Sequence, residues 1–227
     1  MFHRGLVLLI TLVMVVGCAL ATEPQDTIQG IYTVHENMHY ANKSTISWGQ
    51  NGNYAISVVV SFSDSCGSYN CSGSCEDPVW YGDFNKLWGK ARCGYTNSHH
   101  QDSDRFAWRR CTAETCSDYS EADGPRIQPA AYSYDAGTAP YTGENPELLK
   151  IIEQLLHPNV DYRLDLEMDA SGLSTFTVSS ADGVEMESVS VQHSNTCSED
   201  FNEGTLQGLY FGGTCTAPVD VTVQFSS

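Results

Sequence analysis

Polar and apolar residues alternate with a period of two along most of this chain, and that pattern predicts strands. The clearest run is residues 54–62, YAISVVVSF, which is β-branched and uncharged and reads as a core strand. Residues 162–168 (YRLDLEM), 174–179 (STFTVS), 184–191 (VEMESVSV), 207–211 (QGLYF) and 219–225 (VDVTVQF) follow in the C-terminal third. YRLDLEM and VEMESVSV alternate strictly, so each is expected to bury one face and expose the other. The turn signals Ala170-Ser171-Gly172 and Ala181-Asp182-Gly183 separate them. Ile28, Ile31 and Tyr32 mark a first strand ahead of an Asn51-Gly52 turn, and AAYSY at 130–134 is a short one. One segment reads as a helix: Asn145 as cap, Pro146 in the first position, ELLKIIEQLL as its body and His157-Pro158 as its stop. Many strands and one short helix predict an all-β antiparallel sandwich, and nothing in the chain repeats.

The termini and cysteines change the picture next. Residues 1–21 carry His3 and Arg4, an apolar run and the small-x-small signal Ala19-Leu20-Ala21, the form of a secretory signal peptide. Val15-Val16-Gly17-Cys18 offers a rival reading as a lipoprotein box. Residues 22–227 then form one domain, a size that all-β folds of roughly 200 to 250 residues commonly reach. They keep Cys66, Cys71, Cys75, Cys93, Cys111, Cys116, Cys197 and Cys215, an even set expected to form disulfides in an exported chain. Zinc is the alternative for the 66–75 cluster, but no matching histidine pattern accompanies it. Asn42 and Asn70 head glycosylation sequons. The expectation is a secreted, extracellular glycoprotein that acts as a monomer.

Charge sharpens the search for a site. With Arg4 assigned to the leader, ten Lys and Arg face 28 Asp and Glu, a net charge of −18. That balance excludes nucleic acid and anionic membrane as partners. Six of those ten cations, Lys86, Lys90, Arg92, Arg105, Arg109 and Arg110, fall within residues 83–110. A local positive surface in an acidic protein points to an anionic ligand; pairing with Asp83, Asp102 and Asp104 is the plainer alternative. Alternation through Arg105, Phe106, Ala107, Trp108 and Arg109 puts both arginines on one strand face and both aromatics on the other. Tyr132 and Tyr134 share a face in the same way, either as core or as part of a site.

Lys86-Leu87-Trp88-Gly89, Ser103-Asp104-Arg105-Phe106-Ala107-Trp108-Arg109, Tyr132-Ser133-Tyr134 and Gly208-Leu209-Tyr210-Phe211-Gly212-Gly213 occur in that order. In this the chain resembles polysaccharide lyase family 14, the molluscan and algal-viral alginate lyase type. The resemblance spans residues 54–225 through short motifs. Trp88 stands where the family has proline, and an insertion with Cys111, Cys116 and Pro125 separates Arg105 from the tyrosines. It implies a concanavalin A-like jelly roll, to which the cysteines add disulfide-stapled loops, and it implies an anionic polysaccharide as partner with Lys86, Ser103, Arg105, Tyr132 and Tyr134 as the catalytic set.

Elimination across C4 and C5 of a uronic acid needs a group to stabilise charge on the C5 carboxylate, a base for the C5 proton and an acid for O4. Arg105 suits the first task because a guanidinium grips a carboxylate with two parallel bonds, with Lys86 and Ser103 assisting. Tyr132 or Tyr134 serves as base or acid, and the scheme requires no cofactor or metal. A phenol of pKa about 10 needs neighbouring cations to do so. Arg109, Lys90, Arg92, His99 and His100 are the further expected substrate contacts. His99, His100, Asp102 and Asp104 lie close enough in sequence to suggest a metal, but lack the spacing of a calcium loop or a zinc helix. Two other functions stay open: a lectin-like module that binds without cutting, and an acidic extracellular matrix protein.

Overall fold

The computed structural model describes residues 29–41, 46–49, 54–69, 84–91, 100, 102–138, 145–169, 171–194, 203–212 and 216–226. Two six-stranded antiparallel sheets pack face to face as a jelly-roll sandwich, as the alternation predicts. The first sheet runs in the order β1 (Gly30–Val34), β12 (Val221–Ser226), β3 (Tyr54–Phe62), β8 (Asp161–Met168), β9 (Leu173–Ser180) and β10 (Glu185–Gln192). The second runs β2 (Ile46–Gly49), β11 (Glu203–Gln207), β4 (Asn85–Ala91), β5 (Ser103–Arg110), β6 (Ile127–Tyr134) and β7 (Leu149–Ile151).

Strand chemistry explains which faces meet. In β8 the buried positions are Tyr162, Leu164, Leu166 and Met168, every second residue, while Arg163 and Glu167 stay outside. From the other sheet, Trp88, Phe106, Trp108 and Ile127 enter the same core. Phe106 packs edge-on against Phe176 of β9 and Trp108 against Phe62 of β3, so aromatic contacts lock the sheets together. Each such buried side chain contributes about 1.5–3 kcal/mol. The two predicted turns form with Gly172 at φ 80° and Gly183 at φ 87°, which only glycine adopts without strain.

Polar side chains also cross the sandwich. Asp104 of β5 points inward, where its carboxylate accepts from Ser133 Oγ at 2.8 Å, Ser174 Oγ at 2.8 Å and His193 Nε2 at 2.6 Å. A fully buried carboxylate with this many donors ties β5 and β6 to the opposite sheet.

Several expectations are corrected. The helix expected after Asn145 is a single 3-10 turn, Pro146–Leu148, followed by β7. The chain then stays extended beside β6: Ile152 N–H donates to Pro129 O at 3.1 Å, and Leu156 pairs with Ile127. Helical propensity lost to the open edge of β6, and the Glu187 carboxylate accepts the N–H groups of Glu153 and Gln154. Among the described residues the α-helix is α1 (Asp64–Ser68) instead. β10 is an edge strand in which the alternation holds for Val189, packed against the core, and Val191, buried in it, while a bulge between Glu185 and Glu187 leaves Val184 and Met186 exposed. The strand expected at 207–211 is reduced to bridges made by Tyr210 with Tyr40 and Lys86.

Cys111 and Cys116 form a disulfide. Cys66, expected to be bridged, is a free buried thiol that donates to Thr222 O at 3.3 Å, and burial pushes its pKa up to about 12. Cys71, Cys75, Cys93, Cys197, Cys215, Asn42, Asn70 and the leader lie outside the described residues.

Candidate functional site

The outer face of the second sheet carries the site. β5 and β6 are direct neighbours, and their register sets Arg105 opposite Tyr132 and Ser103 opposite Tyr134. On the other side of β5, Gly89 of β4 lies opposite Arg105 and Lys86 lies opposite Ala107. A bulge between Lys86 and Trp88 lets Trp88 turn into the core while Lys86 stays on the outer face. Gly89 is required by crowding: a Cβ there would stand 2.0 Å from Asp104 O and 2.5 Å from Arg105 Cα.

Lys86, Arg105, Tyr132 and Tyr134 therefore converge. The Lys86 ammonium donates to Phe84 O at 2.5 Å and sits 4.3 Å from the centre of the Tyr132 ring. The Tyr132 and Tyr134 rings are 5.9 Å apart, and the exposed His100 adds a third ring 5.1 Å from Tyr134. These tyrosines pack with Phe84, Ala107 and Ala130 in an apolar cluster separate from the main core. They do not lie beneath the opposite sheet.

Arg105 is the unusual member. It is 4 % exposed, and among the described residues its Nη2 reaches only Gly208 O at 3.5 Å while its Nε has no acceptor. Among the described residues no carboxylate pairs with it. Desolvation lowers its pKa to about 10, opposed by Tyr134, Tyr132, Tyr210 and Tyr40, in that order. A buried cation without a counter-charge is costly, and the cost is recovered when an anion arrives. His100 is held below its usual pKa by partial burial, then by Arg105 and Lys86.

The structure does not gather every residue named from the sequence. The site is not an open groove: Lys86, Ser103, Arg105, Tyr132 and Tyr134 are all buried. Lys90 faces Asp104 in the register, on the interior side, because the bulge shifts the alternation. Arg109 shares the outer face but lies about 13 Å along β5 from Arg105. Its guanidinium holds Gln128 Oε1 at 2.5 and 2.8 Å and Thr115 O at 2.6 Å, which anchors the disulfide loop. Asp104 points inward and His100 outward, so they do not form one ligand set with Asp102. Arg92 and His99 lie outside the described residues.

Sequence reasoning missed one flank of the site. Tyr210 exchanges backbone hydrogen bonds with Lys86 at 2.8 Å, and its ring lies 6.0 Å from the Lys86 ammonium. Tyr40 meets the Tyr210 ring edge-on at 5.0 Å, and His39 stacks on it at 5.3 Å. Tyr210 was visible within its glycine-rich motif, but nothing local marked residues 39 and 40.

No protein-family model matches the sequence, and no curated protein does. Solved structures do match in shape. The alginate lyase Aly36B superposes with a TM-score of 0.54 at 12 % identity, covering 86 % of this chain and 77 % of that one. The CBM2 module of the evolved Dit of Lactobacillus casei BL23 phage J-1 gives a TM-score of 0.43 at 10 % identity, covering 86 % of this chain and 73 % of that one. The receptor-binding domain of botulinum neurotoxin type G gives 0.40 at 13 % identity, covering 88 % of this chain and 39 % of that one. At such identities the likeness to the lyase establishes the jelly-roll sandwich and nothing finer.

Proposed function

We propose that this protein is a secreted, extracellular lyase that cleaves an acidic, uronate-containing polysaccharide by β-elimination. The observation that carries the reading is the buried Arg105 guanidinium, which has no carboxylate partner among the described residues and is surrounded by tyrosines. The residue set that resembles polysaccharide lyase family 14 supports it, as does a structural neighbour known as an alginate lyase.

In this scheme Arg105 receives the C5 carboxylate in two parallel hydrogen bonds and stabilises the enolate-like charge that builds there. Ser103 donates a further bond, and the Lys86 ammonium strengthens the positive field. Tyr132 or Tyr134 removes the C5 proton, and a phenol returns a proton to O4 as the C4–O bond breaks. The chain needs no cofactor for these steps and acts as a monomer.

A second reading, a lectin-like module that holds the sugar acid without cutting it, is favoured by the burial of Tyr132 and Tyr134, at 2 % and 5 % exposure. Purified protein incubated with alginate, polyglucuronate and polygalacturonate separates the two. A lyase produces unsaturated ends that absorb in the ultraviolet, and Tyr132→Phe or Tyr134→Phe abolishes them. Binding without product, unaffected by both substitutions, supports the module and overturns the lyase.

A further inference from the structure

The strand register continues the site sideways. Tyr40, Tyr210 and Lys86 form one row across neighbouring strands, each paired with the next through isolated antiparallel bridges, so their side chains share the outer face. Leu209 and Phe211, on either side of Tyr210, turn into the core and fix that orientation. His39 stacks on Tyr210 and its Nδ1 lies 3.0 Å from Phe211 O, which steadies the stack from behind. Tyr40 is 68 % exposed, so its ring is open to a ligand at the edge of the buried charged site.

We propose that Tyr40 and Tyr210 form a second sugar-holding position beside Arg105, an aromatic face that takes the neighbouring ring of the same acidic oligosaccharide. Two strand spacings, about 10 Å, separate Tyr40 from Lys86, so one chain of sugars can touch both. A pyranose ring has an apolar face of C–H groups that lies flat on an aromatic ring, while its carboxylate goes to a cation. Arg105 therefore reads the charge and Tyr40 reads the length.

The assignment rests on the uronate reading of the Arg105 site, and the experiment separates them. Mannuronate, guluronate and glucuronate oligomers from one to four sugars are titrated into the full chain by calorimetry, with cello- and manno-oligosaccharides as neutral counterparts. Wild-type affinity for uronates is expected to rise with length. Tyr40→Ala removes about three- to tenfold of that rise, Tyr40→Trp restores it, and Arg105→Met abolishes uronate binding. Affinity that does not grow with length, or grows equally in Tyr40→Ala, removes the aromatic position and leaves the uronate reading intact. Neutral oligosaccharides held through Tyr40 and indifferent to Arg105→Met keep the position and overturn the uronate reading. No binding to any oligosaccharide overturns both.

Discussion

Arg105 lies directly across the β5–β6 ladder from Tyr132, with an Nε that no acceptor reaches. A charge held this way destabilises the fold until an anion arrives. Replacing it by an apolar side chain of similar length removes the desolvation cost. Arg105→Met is expected to raise the free energy of unfolding, by about 1–4 kcal/mol. Denaturant unfolding of the two proteins measures it, and a destabilised variant would show that Arg105 serves the fold.

Gly89 gives the backbone room to pass Arg105. A methyl group there meets Asp104 O and Arg105 Cα at impossible distances, and both are backbone atoms that cannot rotate away. Gly89→Ala is expected to cost about 3 kcal/mol or more. Thermal unfolding checks this, and a neutral result would mean that β4 and β5 do not approach as described.

The Asp104 network is a buried polar link between the sheets. Asp104→Ala strands His193, Ser133 and Ser174 in the core at once, so a loss of about 3–5 kcal/mol is expected. Ser133→Ala removes one neutral donor of several and costs about 1 kcal/mol. Comparable losses in the two variants would contradict the central place of the carboxylate.

His100 supplies a pH dependence. Its pKa is lowered in the fold, so between that value and about 6.5 the unfolded chain holds a proton that the native chain lacks. Stability thus falls as pH drops through this window, and the effect is small because His100 is exposed. Further acidification protonates His100 beside Arg105 and Lys86, which strengthens anion binding. The difference between wild type and His100→Gln, followed from pH 7 downward, isolates both effects. Parallel curves would show that His100 plays no part.

How much of this was legible in the sequence follows from how local each signal is. The bounds of β3, the two faces of β5 and the inward side of β8 follow from period-two alternation, which each strand carries within itself. The matched motifs also led to β5 and β6, though only the structure shows them adjacent. Tyr40 was invisible because its meaning comes from pairing with Tyr210, far along the chain. The segment after Asn145 reads as helical because the Asn145 cap, Pro146 and the His157-Pro158 stop frame an apolar run, yet residues 149–156 pack as an extended edge beside β6. The position of Lys90 turned on a bulge, and one extra residue reverses every assignment beyond it.

As proposed above, Arg105 is the receptor for a sugar carboxylate. The most direct measurement is calorimetric titration of a uronate oligomer into wild type and Arg105→Met at low and moderate salt. Wild type is expected to bind with an affinity that weakens as salt rises, and the folded variant is expected not to bind. Equal binding by a folded Arg105→Met protein would contradict it.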